Sequence, residues 1–384
     1  MKKFISAVMA ILMIAAVPVS VFASNTDDEY NVWVNGVQIT AYNCDDVLGD
    51  GGSVRYSNKY ETITLENANI TEGANRSIDA WYGIYINSAV DHRIELIGEN
   101  VIDLRNLSPD AGYVSKVCGL SSHPNLKIYG DGSLKIYTPD CYDSTAMEYN
   151  GYLTFNGCKV EIYSGDGNQN ASGIDYSLIS GQHKRVLAEN GADIKVVGGN
   201  VEYSGGGTCN IAGIRCDNLI VDENSKIYVE TGDLSAGRVD TVTNAAVTAY
   251  SVHVEGELTA LAGKATCESA EKECLSYGVY DLGAILDDAD RFSKGKITLR
   301  GYDTCVRVRF DYQDECVGTD FFVSENVDGS DLDYLDEDDV INDYPYAVIC
   351  PEGEIVIEKT FFQRIAEFFE NLFESIARFF DSIF

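Results

Sequence analysis

Few residues in this 384-residue chain have the types and spacing that chemistry requires. Acids dominate: 61 Asp and Glu against 28 Lys and Arg give 28 − 61 = −33. The densest acidic run is Asp328-Gly329-Ser330-Asp331-Leu332-Asp333-Tyr334-Leu335-Asp336-Glu337-Asp338-Asp339. In it, Asp331, Asp333, Asp336 and Asp338 could supply the many oxygens that Ca²⁺ takes. It is not an EF-hand, because aligning Gly329 with the turn glycine puts Ser324 first and Leu335 twelfth, where carboxylates are needed. The plainer reading is a solvated acidic linker. Adjacent acids occur at Asp45-Asp46 and Asp287-Asp288. Paired carboxylates can cleave a glycosidic bond, yet among so many acids pairs arise by chance. His92, His123, His183 and His253 stand singly, which fits surface or turn positions better than a metal site. The nucleophile elbow G-x-S-x-G, the zinc motif H-E-x-x-H and the phosphate loop G-x-x-x-x-G-K are absent from the sequence. No catalytic residue is assigned.

The 11 cysteines include no C-x-x-C pair, which excludes zinc ribbons and thioredoxin-like sites. The count is odd, so at least one thiol lacks an intrachain partner. Cys158 shares strand parity with Val160, and Cys216 with Ile214, so both read as small apolar core residues. A host living without oxygen would tolerate such thiols. The negative charge argues against nucleic acid and against electrostatic attraction to anionic lipid.

Where these residues act follows from the N-terminus. Met1-Lys2-Lys3 precedes an apolar run from Phe4 to Val19, and Val21-Phe22-Ala23 has small or permitted residues at −3 and −1. This is the pattern of a secretory signal peptide cleaved after Ala23. The mature chain then carries 26 − 61 = −35.

The elements that must position any site come from an internal repeat over residues 83–310. Each unit opens on a small residue with an apolar neighbour and continues as alternating strands separated by Gly, Asn or Asp turns. The openers are Gly83, Gly119, Ala146, Gly173, Gly213, Ala246 and Gly278. In the fourth unit, residues 192–196 and 200–203 read as the two strands after the opener. Such units cannot form a core alone; stacked, they bury Ile, Leu and Val in columns. That describes an all-β parallel β-helix (β-solenoid), with an antiparallel sandwich or barrel as the alternative. Val32-Trp33-Val34, Asn35-Gly36 and Val37-Gln38-Ile39 read as a type I′ hairpin in an N-terminal cap over the first coil.

The stretch Val32 to Thr40, with Asp45-Asp46-Val47-Leu48-Gly49-Asp50-Gly51 and Thr62-Ile63-Thr64-Leu65-Glu66-Asn67-Ala68, resembles secreted β-helix repeat proteins of Gram-positive anaerobes of the carbohydrate-binding-domain type. The similarity covers about residues 30–105 and loosens towards 310. It implies the fold, an extracellular location and glycan binding, and it carries over no catalytic signature. Polygalacturonase-type enzymes share an N-x-D, D-D, H-G, R-x-K series; here H-G and R-x-K are missing.

Sugar binding uses exposed aromatic faces. Alternation points Tyr85, Tyr137 and Tyr163 outward, while later units carry Ser204, Glu230, Leu261 and Arg300 at the matching positions. A short tyrosine patch is therefore expected, although β-propensity alone also favours tyrosine on strands.

The last 24 residues repeat with period 11, FFQRIAEFFEN then LFESIARFFDS, and hold eight of the 15 Phe. They predict an amphipathic helix about 36 Å long. Its apolar face carries Phe361, Phe362, Ile365, Phe368, Phe369, Leu372, Phe373, Ile376, Phe379 and Phe380. It could pair with a protein partner or a second copy, cap the last coil, or lie on a membrane. Charges interrupt it throughout, so it does not span a bilayer.

The organisation expected is thus a signal peptide at 1–23, a cap and first coil at 24–82, repeats at 83–310, an acidic segment and terminal strand at 311–358, and the helix at 359–384. The function expected is non-catalytic polysaccharide binding outside the cell, with Ca²⁺ as a candidate aid. The alternatives are a structural or adhesive protein assembling through its C-terminal helix, and a polysaccharide lyase or glycoside hydrolase with an unrecognised site.

Overall fold

The computed structural model describes residues 29–77, 80–107, 116–176, 183–206, 208–237, 241–268, 273–281, 295–307, 319–335 and 341–351. The expected signal peptide, Asp336, Asp338 and the whole C-terminal helix lie outside the described residues.

The described chain is all-β, with long sheets of parallel strands, an arrangement compatible with a β-solenoid. Three sheets run side by side, and the chain visits them in turn. One round reads Lys116–Ser122 in the first sheet, Leu126–Tyr129 in the second and Ser133–Tyr137 in the third. The next round lays Cys141–Tyr149, Tyr152–Asn156 and Lys159–Tyr163 in parallel beside them. Alternation drives this: Leu134 and Ile136 are buried while Lys135 and Tyr137 between and after them are half-buried. Each inward Ile or Leu removed from water contributes about 1.5–3 kcal/mol, and only a neighbouring round can cover it.

The openers stack in one column of the first sheet. Gly83 lies beside Gly119, then follow Ala146, Gly173, Gly213, Ala246 and Gly278. The reason is a close approach. A Cβ on Gly83 would sit 2.7 Å from the Gly119 carbonyl oxygen and 2.8 Å from Ile102 Cγ2 of the third sheet. The column of Ile102, Ile136, Ile162, Val196 and Val229 fills the space that the openers leave.

The fourth round departs from expectation. Its second-sheet strand is Arg185–Glu189, which the sequence reading passed over, and Asp193–Val197 belongs to the third sheet. The outward apolar Leu187 hides the period of that strand. Val197, not Ser204, therefore follows Tyr163 in its outward row. Val201–Tyr203 is an additional strand, stacked on Leu234–Ala236 and Ala265–Cys267. These three branch from the first sheet at Gly167 and enclose a second small core of Ala171, Val201, Cys209, Leu234 and Val242.

Antiparallel strands close both ends. Glu29–Val34 and Val37–Thr40 form the expected hairpin, with Asn35 and Gly36 both at positive φ (53° and 78°), as a type I′ turn requires. Its first strand pairs antiparallel with Ala80–Ile86. At the other end Tyr346–Pro351 and Thr319–Ser324 extend the third sheet antiparallel from Lys296–Arg300.

Cys158 (3% exposed) and Cys216 (1%) are buried as read from parity. Burial pushes the Cys158 and Cys209 thiols up to about 11 and Cys305 to about 12, so they behave as core atoms. Cys267 and Cys274 form a disulfide across the branch.

Candidate functional site

The three tyrosines singled out from sequence do not share one surface. Tyr137 and Tyr163 sit in register on adjacent third-sheet strands and stack, with centroids 5.1 Å apart and planes 9° from parallel. The Arg105 guanidinium lies 4.4 Å from the Tyr137 centroid and Lys195 Nζ 5.6 Å from that of Tyr163. Their faces are therefore engaged by one another and by cations. Tyr85 is in the first sheet, packed against Tyr82, Trp33 and His123. Asp331 and Asp333 are exposed, and no group of three or more His, Cys, Asp or Glu is arranged for a metal among the described residues. Asp46 caps a turn by accepting from the amides of Asp50, Gly51 and Gly52.

A different surface gathers more exposed aromatic groups together with cations. On the outer face of the second sheet lies a groove of about 490 Å³. It crosses the strands, so it runs along the stacking direction. Lys59 and Tyr60 come from the turn between Val54–Ser57 and Thr62–Glu66. Arg93 and Lys127 are register partners on successive strands, and Thr154 follows in the same row. Tyr152 and Arg185 are partners one row away. Adjacent strands are about 4.8 Å apart, so the row advances by that step per round. Tyr60 is 59% and Tyr152 41% exposed. The Arg185 guanidinium stacks 4.3 Å over the Tyr152 ring, and Lys59 lies 4.9 Å from the Tyr60 centroid.

The groove's charge opposes that of the whole chain. Its lining carries Lys59, Arg93, Lys127 and Arg185 against Glu61 and Asp91, 4 − 2 = +2. Lys127 pairs with Glu189 at 3.0 Å. Burial opposes ionisation of Glu189, but hydrogen bonds from Asn156 and Lys127 outweigh it and hold the carboxyl below its ordinary value. Arg93 and Arg185 have no carboxylate partner among the described residues, and Arg185 Nε is enclosed without a hydrogen bond. In the floor Tyr56 donates to Glu61 Oε2, and His92, 2% exposed, holds its Nδ1 2.8 Å from the Val90 carbonyl oxygen. Burial, then Glu61, raises the Tyr56 phenol far above its ordinary value, so it stays protonated.

Two further concavities differ in kind. A cleft of about 440 Å³ opens where the branch separates from the first sheet. In it Lys116 Nζ donates to Glu148 at 2.8 Å, Arg215 Nη1 to Asp175 at 2.9 Å, and Thr145 Oγ1 and Asn170 Nδ2 to Asp143 at 2.8 and 3.2 Å. Each carboxylate thus has partners within the protein. A hollow of about 680 Å³ lies against the turns that lead into the first sheet and its branch. There the Asp140 side chain accepts from the Asp166 amide, Asp166 from Asn200, Asn200 from Asp233, and Asp233 from Lys264 (2.7–2.9 Å). This ladder ties successive rounds together.

Sequence reading missed the groove because its residues come from five separated stretches. The only local signal was a cation or Tyr at the first outward position of successive second-sheet strands. Comparison of the chain with protein-family models, curated proteins and solved structures finds no match.

Proposed function

We propose that this chain is a secreted parallel β-helix that binds polysaccharide outside the cell without cleaving it, along the groove from Tyr60 to Tyr152. The observation that carries the reading is a groove crossing several rounds, with an exposed tyrosine near either end and hydrogen-bonding side chains between. Successive strands step by about 4.8 Å, a distance comparable to one sugar unit of an extended glycan, so neighbouring rounds can present equivalent groups to neighbouring sugars. Amphipathic rings and polar groups on a rigid sheet suit such a ligand. Ca²⁺ assistance through the acidic run and tethering through the C-terminal helix are further proposals that rest on sequence alone. Depletion of the mature protein by a panel of insoluble polysaccharides tests binding. Retention on at least one, lost in Tyr60→Ala/Tyr152→Ala, is expected; retention unaffected by that double change removes the groove from the reading.

Glycan cleavage is a second reading with one observation in its favour. In the first-sheet cleft, burial raises the Asp143 carboxyl while Glu148 sits beside an ammonium. Two carboxyls in one cleft, one holding its proton more tightly than usual and one paired with an ammonium, are the kind of pair that acid–base hydrolysis uses. Release of reducing ends, abolished by Asp143→Asn, would establish it.

A further inference from the structure

The groove gathers four cations, of which Arg93 and Arg185 have no carboxylate partner among the described residues, beside two exposed tyrosines, in a protein of net charge −33. We infer that its ligand is a polyanionic glycan, bearing carboxylate or sulfate groups on successive sugars, held by direct contact with Arg93, Lys127 and Arg185. This inference rests on the polysaccharide-binding reading and specifies the ligand class of the same groove.

Three features carry it. Arg93 and Lys127 stand in register on adjacent strands, about 4.8 Å apart, and Arg185 lies two strands further on. A glycan with one anion per sugar, laid across the strands, meets a cation on the first two rounds, the Tyr152 ring on the third and a cation on the fourth. The guanidinium groups of Arg93 and Arg185 are not engaged by carboxylates among the described residues, so their donors are directed to a ligand. Arg presents paired donors that match a carboxylate or sulfate edge. Stacking over Tyr152 fixes the plane of the Arg185 guanidinium, which reduces the ordering cost of binding.

The field of the whole chain does not defeat this. The Debye length at physiological salt is about 8 Å, so distant acids are screened while groups in contact are not. The acids that line the groove are Glu61, which accepts from Tyr56, and Asp91; Glu189, outside the lining, is paired with Lys127. A Ca²⁺ bridge is a different mechanism, and it would place the ligand against acids instead.

The test is depletion of the mature chain from 150 mM NaCl by four immobilised polymers, in EDTA and, in a parallel arm, in Ca²⁺. These are polygalacturonate, its fully methyl-esterified form, dextran sulfate and dextran. Retention is expected on polygalacturonate, on dextran sulfate or on both, and on neither neutral counterpart; which of the two retains it tells carboxylate from sulfate. Arg93→Gln/Arg185→Gln should weaken that retention about tenfold or more, as loss of two charged contacts predicts. Lys226→Ala, at an exposed pair on the third sheet, should leave it unchanged. Equal retention on charged and neutral forms overturns the polyanion inference and leaves polysaccharide binding standing. Retention on the polyanions only when EDTA is replaced by Ca²⁺ overturns direct contact. Retention on none of these polymers in either buffer, with retention on other glycans of the insoluble panel, overturns the polyanion class alone. Failure on every glycan tried overturns both readings.

Discussion

Burial pushes the Asp143 carboxyl above the usual carboxylate range, against the opposing pull of the Lys116 ammonium and the hydrogen bonds from Thr145 and Asn170. A raised acid holds its proton more tightly in the folded than in the unfolded chain. Its contribution to stability is therefore greatest below the ordinary value of about 4 and is lost as pH rises through the folded value. At pH 7 the ionised carboxylate costs stability. Asp143→Asn keeps an oxygen for Thr145 and Asn170 and removes the charge. The melting temperature at pH 7 should rise, and the difference from the parent should close as the pH is lowered to about 4. A lower melting temperature at pH 7 would mean that the attraction to Lys116 outweighs desolvation. At this scale the sequence disclosed much: the small openers, the inward Ile and Val, and the buried Cys158 and Cys216 all follow from parity. It did not disclose that Tyr137 stacks on Tyr163 and Arg105, because a ring's neighbours across strands depend on register.

The turn ladder shows how an element is held by its equivalents one round away. Pro139-Asp140, Gly165-Asp166, Gly199-Asn200, Gly232-Asp233 and Gly263-Lys264 occupy matching positions. The glycine at four of these five positions lets the turns approach; a Cβ on Gly232 would meet the Gly199 carbonyl oxygen. Asn200→Ala removes the acceptor of the Asp233 amide. The cost should be about 1–2 kcal/mol, and hydrogen exchange at the Asp233 amide should accelerate while that at Asp166 stays slow. Unchanged exchange at Asp233 would show that water replaces the side chain at no cost. The Gly-Asp signature was present in the sequence, but the branch strands after it are only three residues long, too short for a period to register. The fourth round hides its second-sheet strand in a similar way: one outward Leu187 masks the period of the five-residue Arg185–Glu189.

As a whole the molecule is a stack whose open edges must be covered, and the N-terminal hairpin covers one. Trp33, 6% exposed, packs beneath Arg76, whose guanidinium is 3.9 Å from its ring, and the strand of Trp33 occupies the edge of Ala80–Ile86. A chain lacking residues 29–40 should present that edge to other chains and associate at rising concentration, as sedimentation velocity would detect. A monomer at all concentrations would show that the remaining Ala74–Ser77 strand, antiparallel to Ala80–Ile86, is cover enough.

The sequence by itself determined the all-β class, the alternation that sorts inside from outside, the column of small openers and the N-terminal hairpin. These are local properties: strand parity has period two, and a turn is set by adjacent residues. Tertiary structure decided which outward residues become neighbours. Arg93, Lys127, Tyr152 and Arg185 are separated by 34, 25 and 33 residues in the chain. They meet because each round closes on the one before it at a fixed spacing, and loops of differing length absorb the irregular period. A site laid across strands is written one residue per round, and only the register between rounds assembles it.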